Sequence, residues 1–176
     1  MNLPTPRPED WLELTRPGHV TVHHAGLLTY GDEAIQILDQ ASSNGKSVVF
    51  FSLGRSERSV AADLLCRRAG IRLGEGGPKV FSPGEVERLK GLGEQIWQER
   101  IAIHDNADLT LDQLEEVLAE GGDTDFVIID SMELMDSPMR HEGRVQGFAK
   151  LVGSLRRLAR RRSVAILAIR RPQYFR

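Results

Sequence analysis

A short apolar run, Phe126-Val127-Ile128-Ile129, leads directly into Asp130 and is followed by Ser131-Met132-Glu133-Leu134-Met135. β-branched and aromatic residues in an unbroken run, bounded by polar residues, read as a strand buried on both faces of a parallel sheet. A carboxylate at the end of such a strand stands at the carboxyl edge, where open α/β sheets receive their ligands, and there it can hold a divalent cation. The competing reading is a strand-ending Asp that caps the next turn. The strand by itself does not choose between the two.

Other groups with metal or acid–base chemistry are His23, His24, His104 and Asp105. His23 and His24 are neighbours on an expected strand, so they point to opposite faces and cannot easily chelate together. A metal centre would require His24, His104 and Asp130 to converge at the carboxyl edge, and no metal site is expected. Cys66 is the only cysteine, which excludes an internal disulfide and a thiolate cage.

The arginines are segregated. All 25 acidic residues lie at or before Glu142, whereas ten basic residues and no acid follow from Arg144 onward. The first 143 residues thus hold 13 basic against 25 acidic residues, a net −12. A basic segment on an acidic body suits a polyanion or an acidic protein surface. The plainer alternative is a set of solvated arginines, or pairing with the acidic half of a neighbouring subunit.

These groups need a scaffold. With 176 residues, 40% hydrophobic and 27% charged, the chain suits one globular domain with a sizeable core. A lead-in helix is expected within residues 1–16 (Pro8 to Leu14), and a single domain over 17–176. Strands are expected at His19–His24, Val48–Phe51, Ile101–His104, the run ending at Asp130, and Val164–Ile169. Helices are expected at Asp32–Ala41, from Ser56 to Gly70, from Ser82 to about Gln98, from Thr110 to Gly121, and at Val145–Arg161. Ser82 with Glu85 forms a capping box. The last helix is assigned a buried stripe of Val145, Phe148, Ala149, Val152, Leu155 and Ala159. Alternating strands and helices predict a doubly wound, mostly parallel α/β sheet of about five strands.

The order of these elements, with particular words at their ends, resembles the RecA-type motor domain of the bacterial replicative DnaB helicases. The similarity runs from Pro17-Gly18 to about Ile169. It is carried by Gly45-Lys46-Ser47-Val48-Val49-Phe50-Phe51-Ser52-Leu53, by Ile101-Ala102-Ile103-His104-Asp105, by Val127-Ile128-Ile129-Asp130 with Leu134-Met135, and by Ser154-Leu155-Arg156-Arg157-Leu158-Ala159. The resemblance implies a RecA-like P-loop NTPase core in which Asp130 is the remnant of the magnesium-binding carboxylate.

Departures from the family pattern fall on its chemistry. Where the family has a Gly-Lys-Thr phosphate loop, this chain has Gly26 and then Gly31-Asp32-Glu33, so that two carboxylates take the lysine and hydroxyl positions. Against a triphosphate, each close like-charge pair costs on the order of several kcal/mol even at an effective dielectric near ~20. The Ser-Leu-Glu word that prepares the attacking water reads Ser52-Leu53-Gly54, and Ala168-Ile169 replace the family's Ser-Gln.

The resemblance therefore implies a catalytically inactive domain with a degenerate Walker A loop and no cofactor; ATP with magnesium is the one candidate if any binds. It would act by binding single-stranded DNA or a replication or recombination protein, with a homo-oligomer as a further option. Arg140, Arg144, Arg170 and Arg171 are the candidates for a phosphate track, because the family's equivalent loops face DNA. The alternative function is a DNA-dependent ATPase or nucleotide hydrolase that uses Asp130 and an unconventional phosphate loop. Apolar runs too short for a bilayer and an N-terminus without an apolar signal segment lead to the expectation of a cytoplasmic protein without membrane association.

Overall fold

The computed structural model describes residues 15–24, 32–71, 80–136 and 144–171. Five strands form one sheet: β1 (Val20–His24), β2 (Val48–Ser52), β3 (Ile101–His104), β4 (Phe126–Asp130) and β5 (Ala165–Arg170). Their spatial order is β1-β5-β4-β2-β3, and every pairing is parallel. The helices are α1 (Asp32–Ser43), α2 (Glu57–Arg68), α3 (Pro83–Trp97), α4 (Leu111–Glu120) and α5 (Arg144–Arg162), with a short 3-10 turn at Met132–Leu134 after β4. The expected lead-in helix lies outside the described residues.

Residue type explains strand position. β2 and β4 are buried at every residue, as expected for interior strands covered on both faces. The edge strands β1 and β3 are only partly buried. Alternation along the strands divides the core in two. Val48, Phe50, Phe126, Ile128 and Leu167 pack with α1 and α2, whereas Val49, Phe51, Val127, Ile129 and Ile166 pack with α4 and α5. Fully burying one such side chain contributes about 1.5–3 kcal/mol.

Helix starts follow their caps. Ser82 and Glu85 close the expected capping box, Thr110 and Gln113 close a second, and Ser56 caps α2 through the Ser59 amide. The stripe assigned to the last helix needs correction. Val152, Leu155 and Ala159 are buried and Phe148 half-buried as expected, but Gly147, Leu151 and Leu158 are buried too and Ala149 is exposed; the side chain of Val145 lies outside the described residues. The buried arc is rotated around Leu155 toward Leu151 and Leu158, because α5 packs against both the sheet and α4.

Topology sets where chemistry could occur. The connection after β2 leaves toward α2 on one face, and that after β4 leads to α5 on the other. β2 and β4 are neighbours, so their carboxyl ends form a topological switch point, the place where open α/β sheets receive ligands, and Ser52 pairs there in register with Asp130.

Candidate nucleotide corner at the carboxyl edge

Asp130 ends β4 on the α1 side of the sheet, two residues beyond the core residue Ile128. Its carboxylate is already engaged. Arg171, one residue past the end of β5, donates Nε–H to Oδ1 at 2.6 Å and Nη2–H to Oδ2 at 2.8 Å. Asp130 is 8% exposed and Arg171 5%. A planar fork against a carboxylate is the strongest geometry such a pair can adopt, and burial makes it hard to open. Both oxygens that could face a divalent cation thus face a guanidinium. The peptide bond between Asp130 and Ser131 is cis.

Register explains the encounter. Asp130 pairs with Ile169, so Arg171 lies two residues farther along the adjacent strand, on the same face, and its side chain folds back onto the carboxylate. The sequence places Arg171 at the surface as part of a phosphate track; the structure instead buries it beneath that edge. Arg170 does reach the edge. Its Nε lies 3.5 Å from Glu133 Oε1 and its guanidinium carbon 5.1 Å above the Phe148 ring. Arg140 lies outside the described residues, and Arg144 is described only as the first residue of α5.

Glu133 is a functional candidate that sequence reasoning missed. It sits on the 3-10 turn with its side chain 3% exposed, and its Oε1 accepts the Arg171 amide at 2.9 Å. Burial raises its pKa above the usual carboxylate value, partly offset by the Arg171 amide and the Arg170 charge. Its position three residues after Asp130 was the available signal.

Glu33, the second carboxylate of the Asp32-Glu33 pair, is engaged as well. α1 begins at Asp32, and Glu33 Oε2 lies 2.8 Å from His23 Nε2, with both side chains mostly buried. Gly26 and Gly31 lie outside the described residues, as does the side chain of Asp32. Along the sheet, His23, Ile169 and Asp130 share one register level, so the Glu33–His23 and Asp130–Arg171 pairs stand on the same face at the same edge.

The other histidines have separate surroundings. β1 and β3 are opposite edges of the sheet, four strand spacings or about 19 Å apart, so His24 and His104 cannot share a metal with Asp130. Among the described residues no three His, Cys, Asp or Glu side chains converge. His104 stacks on Phe51 at 5.3 Å, and Asp105 accepts the Glu57 amide at the start of α2. The His24 pKa is lowered, chiefly by burial and then by the nearby Arg170. At the end of β2, Ser52 donates to the Arg55 carbonyl at 2.6 Å, and Arg55 is paired with Asp63.

Known proteins share both the sequence pattern and the fold. The sequence profile of the DnaB-like helicase C-terminal domain matches residues 31–172. The fold is similar to a solved structure described as an ATPase domain (TM-score 0.77, 17% identity), over 89% of this chain and 57% of that one. It is also similar to a DnaB-like replicative helicase whose structure is described together with its interactions with primase (TM-score 0.75, 18% identity), over 89% of this chain and 40% of that one. The chain thus spans 40–57% of the length of these structures. No curated protein sequence matches it. No helix among the described residues is long and apolar enough to cross a membrane.

Proposed function

This chain belongs to the DnaB-like helicase C-terminal domain family, and we propose that it is a catalytically silent member of it. It acts by binding single-stranded DNA or a replication or recombination protein, not by turning over ATP. One observation carries the reading: both Asp130 oxygens are held by the buried fork of Arg171. A magnesium ion at Asp130 would have to displace a tethered cation that already satisfies the carboxylate. Charge supports the same reading, since Glu33, hydrogen-bonded to His23, presents a carboxylate where the family's phosphate loop has a hydroxyl.

The test is calorimetric titration of ATP with magnesium, combined with phosphate release in the presence and absence of single-stranded DNA. The expected result is no micromolar binding and no DNA-stimulated release. Micromolar binding with stimulated release would overturn the proposal in favour of a hydrolase working through Asp130; Asp130→Asn would then abolish turnover.

A further inference from the structure

α5 lies across one face of the sheet with Leu151, Leu155 and Leu158 buried beneath it. Its outer face has an unusual composition. Over residues 146–162 every exposed side chain except Gln146 and Ala149 is cationic, and the helix contains no acid. Arg156 and Arg160 are four residues apart, as are Arg157 and Arg161, so their Cβ atoms stand about 5–6 Å apart and the like charges destabilise the helix. Macrodipole stabilisation covers the last turn, Arg160 to Arg162, but does not extend to Arg156 and Arg157. Glu115 of α4 pairs with Arg161 and Arg162. Among the described residues no carboxylate pairs with Arg156, Arg157 or Arg160; Arg157 donates only to its own helix, at Ser154 Oγ.

We infer that the outer face of α5 is a docking surface for the phosphate backbone of a nucleic acid. The cations from Lys150 to Arg161 extend along about 16 Å of helix. The absence of any large apolar or aromatic side chain among them argues against an ordinary protein partner, whose interface would need a buried apolar anchor. Interfaces with nucleic acid are instead polar and strongly positive. Guanidinium forks match phosphate oxygens, and the acidic remainder of the chain directs a polyanion to this side. Gly153 leaves the middle of the face without a side chain. The inference extends the binding half of the proposed function to a surface away from the carboxyl edge; it does not depend on catalytic silence.

Fluorescence polarisation of a labelled oligo-dT strand and of a duplex of equal length, each across a salt series, tests it on the full chain. Arg156→Gln/Arg157→Gln/Arg160→Gln is compared with Arg170→Gln at the carboxyl edge, and circular dichroism confirms that each is folded. The triple variant is expected to bind more than about tenfold more weakly at low salt. Its log K against log salt slope should fall by about 2 for the single strand and nearly 3 for the duplex. The two probes distinguish which form of nucleic acid is preferred. Unchanged binding by the triple variant, with loss confined to Arg170→Gln, would overturn the inference and leave the carboxyl-edge reading standing. Failure of the wild-type chain to bind either probe would overturn it too. Equal affinity for poly-glutamate at matched salt would also overturn it, by assigning the face to acidic proteins.

Discussion

At the residue scale the Asp130–Arg171 pair decides how this corner behaves. Two buried charges attract strongly but lose their hydration, so removing one partner is far worse than removing both. Asp130→Leu or Arg171→Met alone is expected to destabilise the fold by about 3–5 kcal/mol, whereas the double variant Asp130→Leu/Arg171→Met should lie much closer to wild type. Urea denaturation of the two singles and the double measures the coupling; additive losses would show that the pair is not a buried unit. Glu133 has the opposite tendency. Its folded-state pKa is raised, so the folded chain binds the proton more tightly than the unfolded one. Its contribution is complete below the unfolded value of about 4.5 and is lost as pH rises through the raised value. Glu133→Gln keeps an acceptor for the Arg171 amide and should gain stability relative to wild type as pH rises through that window. Parallel pH profiles of the two proteins would contradict this.

At the scale of elements, α5 offers the sharpest contrast. Leu158 is 2% exposed between the sheet and α4, so Leu158→Ala should cost about 2–5 kcal/mol. Ala149→Ser on the exposed side should stay within about 0.5 kcal/mol. Chemical denaturation of both variants separates the observed arc from the stripe drawn on periodicity alone. The start of α4 depends on its cap: Thr110→Ala should cost about 1 kcal/mol through loss of the bond from the Gln113 amide. Capping boxes are readable from a few consecutive letters because donor and acceptor are only three residues apart. The direction of a buried arc is set by neighbouring elements, and periodicity alone located only its centre.

At the scale of the whole molecule, one polar network fastens the outer side of the α1–α2 layer. Arg68 of α2 pairs with Asp39 of α1 at 2.7 Å and with Glu99, just ahead of β3, at 2.6 Å. The hydrogen bond from Arg68 lowers the Glu99 pKa, against the opposing effect of burial. The sign is that of a depressed carboxylate: stability is present above the unfolded value of about 4.5 and is lost as pH falls through the folded one. Arg68→Met should flatten this acid limb, which thermal midpoints across about pH 3 to 6 would reveal. An unchanged limb would assign acid sensitivity to other carboxylates.

The sequence by itself determined the order and kind of the elements, the parallel α/β class and the family. Runs such as Phe126 to Ile129, and caps such as Ser82 with Glu85, act over a few residues and are written locally. By resemblance it also raised the expectation that Asp32 and Glu33 take the phosphate-loop lysine and hydroxyl positions. Only the tertiary structure decided what those groups touch. Asp130 and Arg171 are 41 residues apart, His23 and Glu33 are on different elements, and His24 and His104 stand at opposite sheet edges. Each outcome depends on strand order and register, which arise from packing the whole chain. For that reason Arg171 reads as a surface cation in the sequence and is the buried partner of Asp130 in the fold.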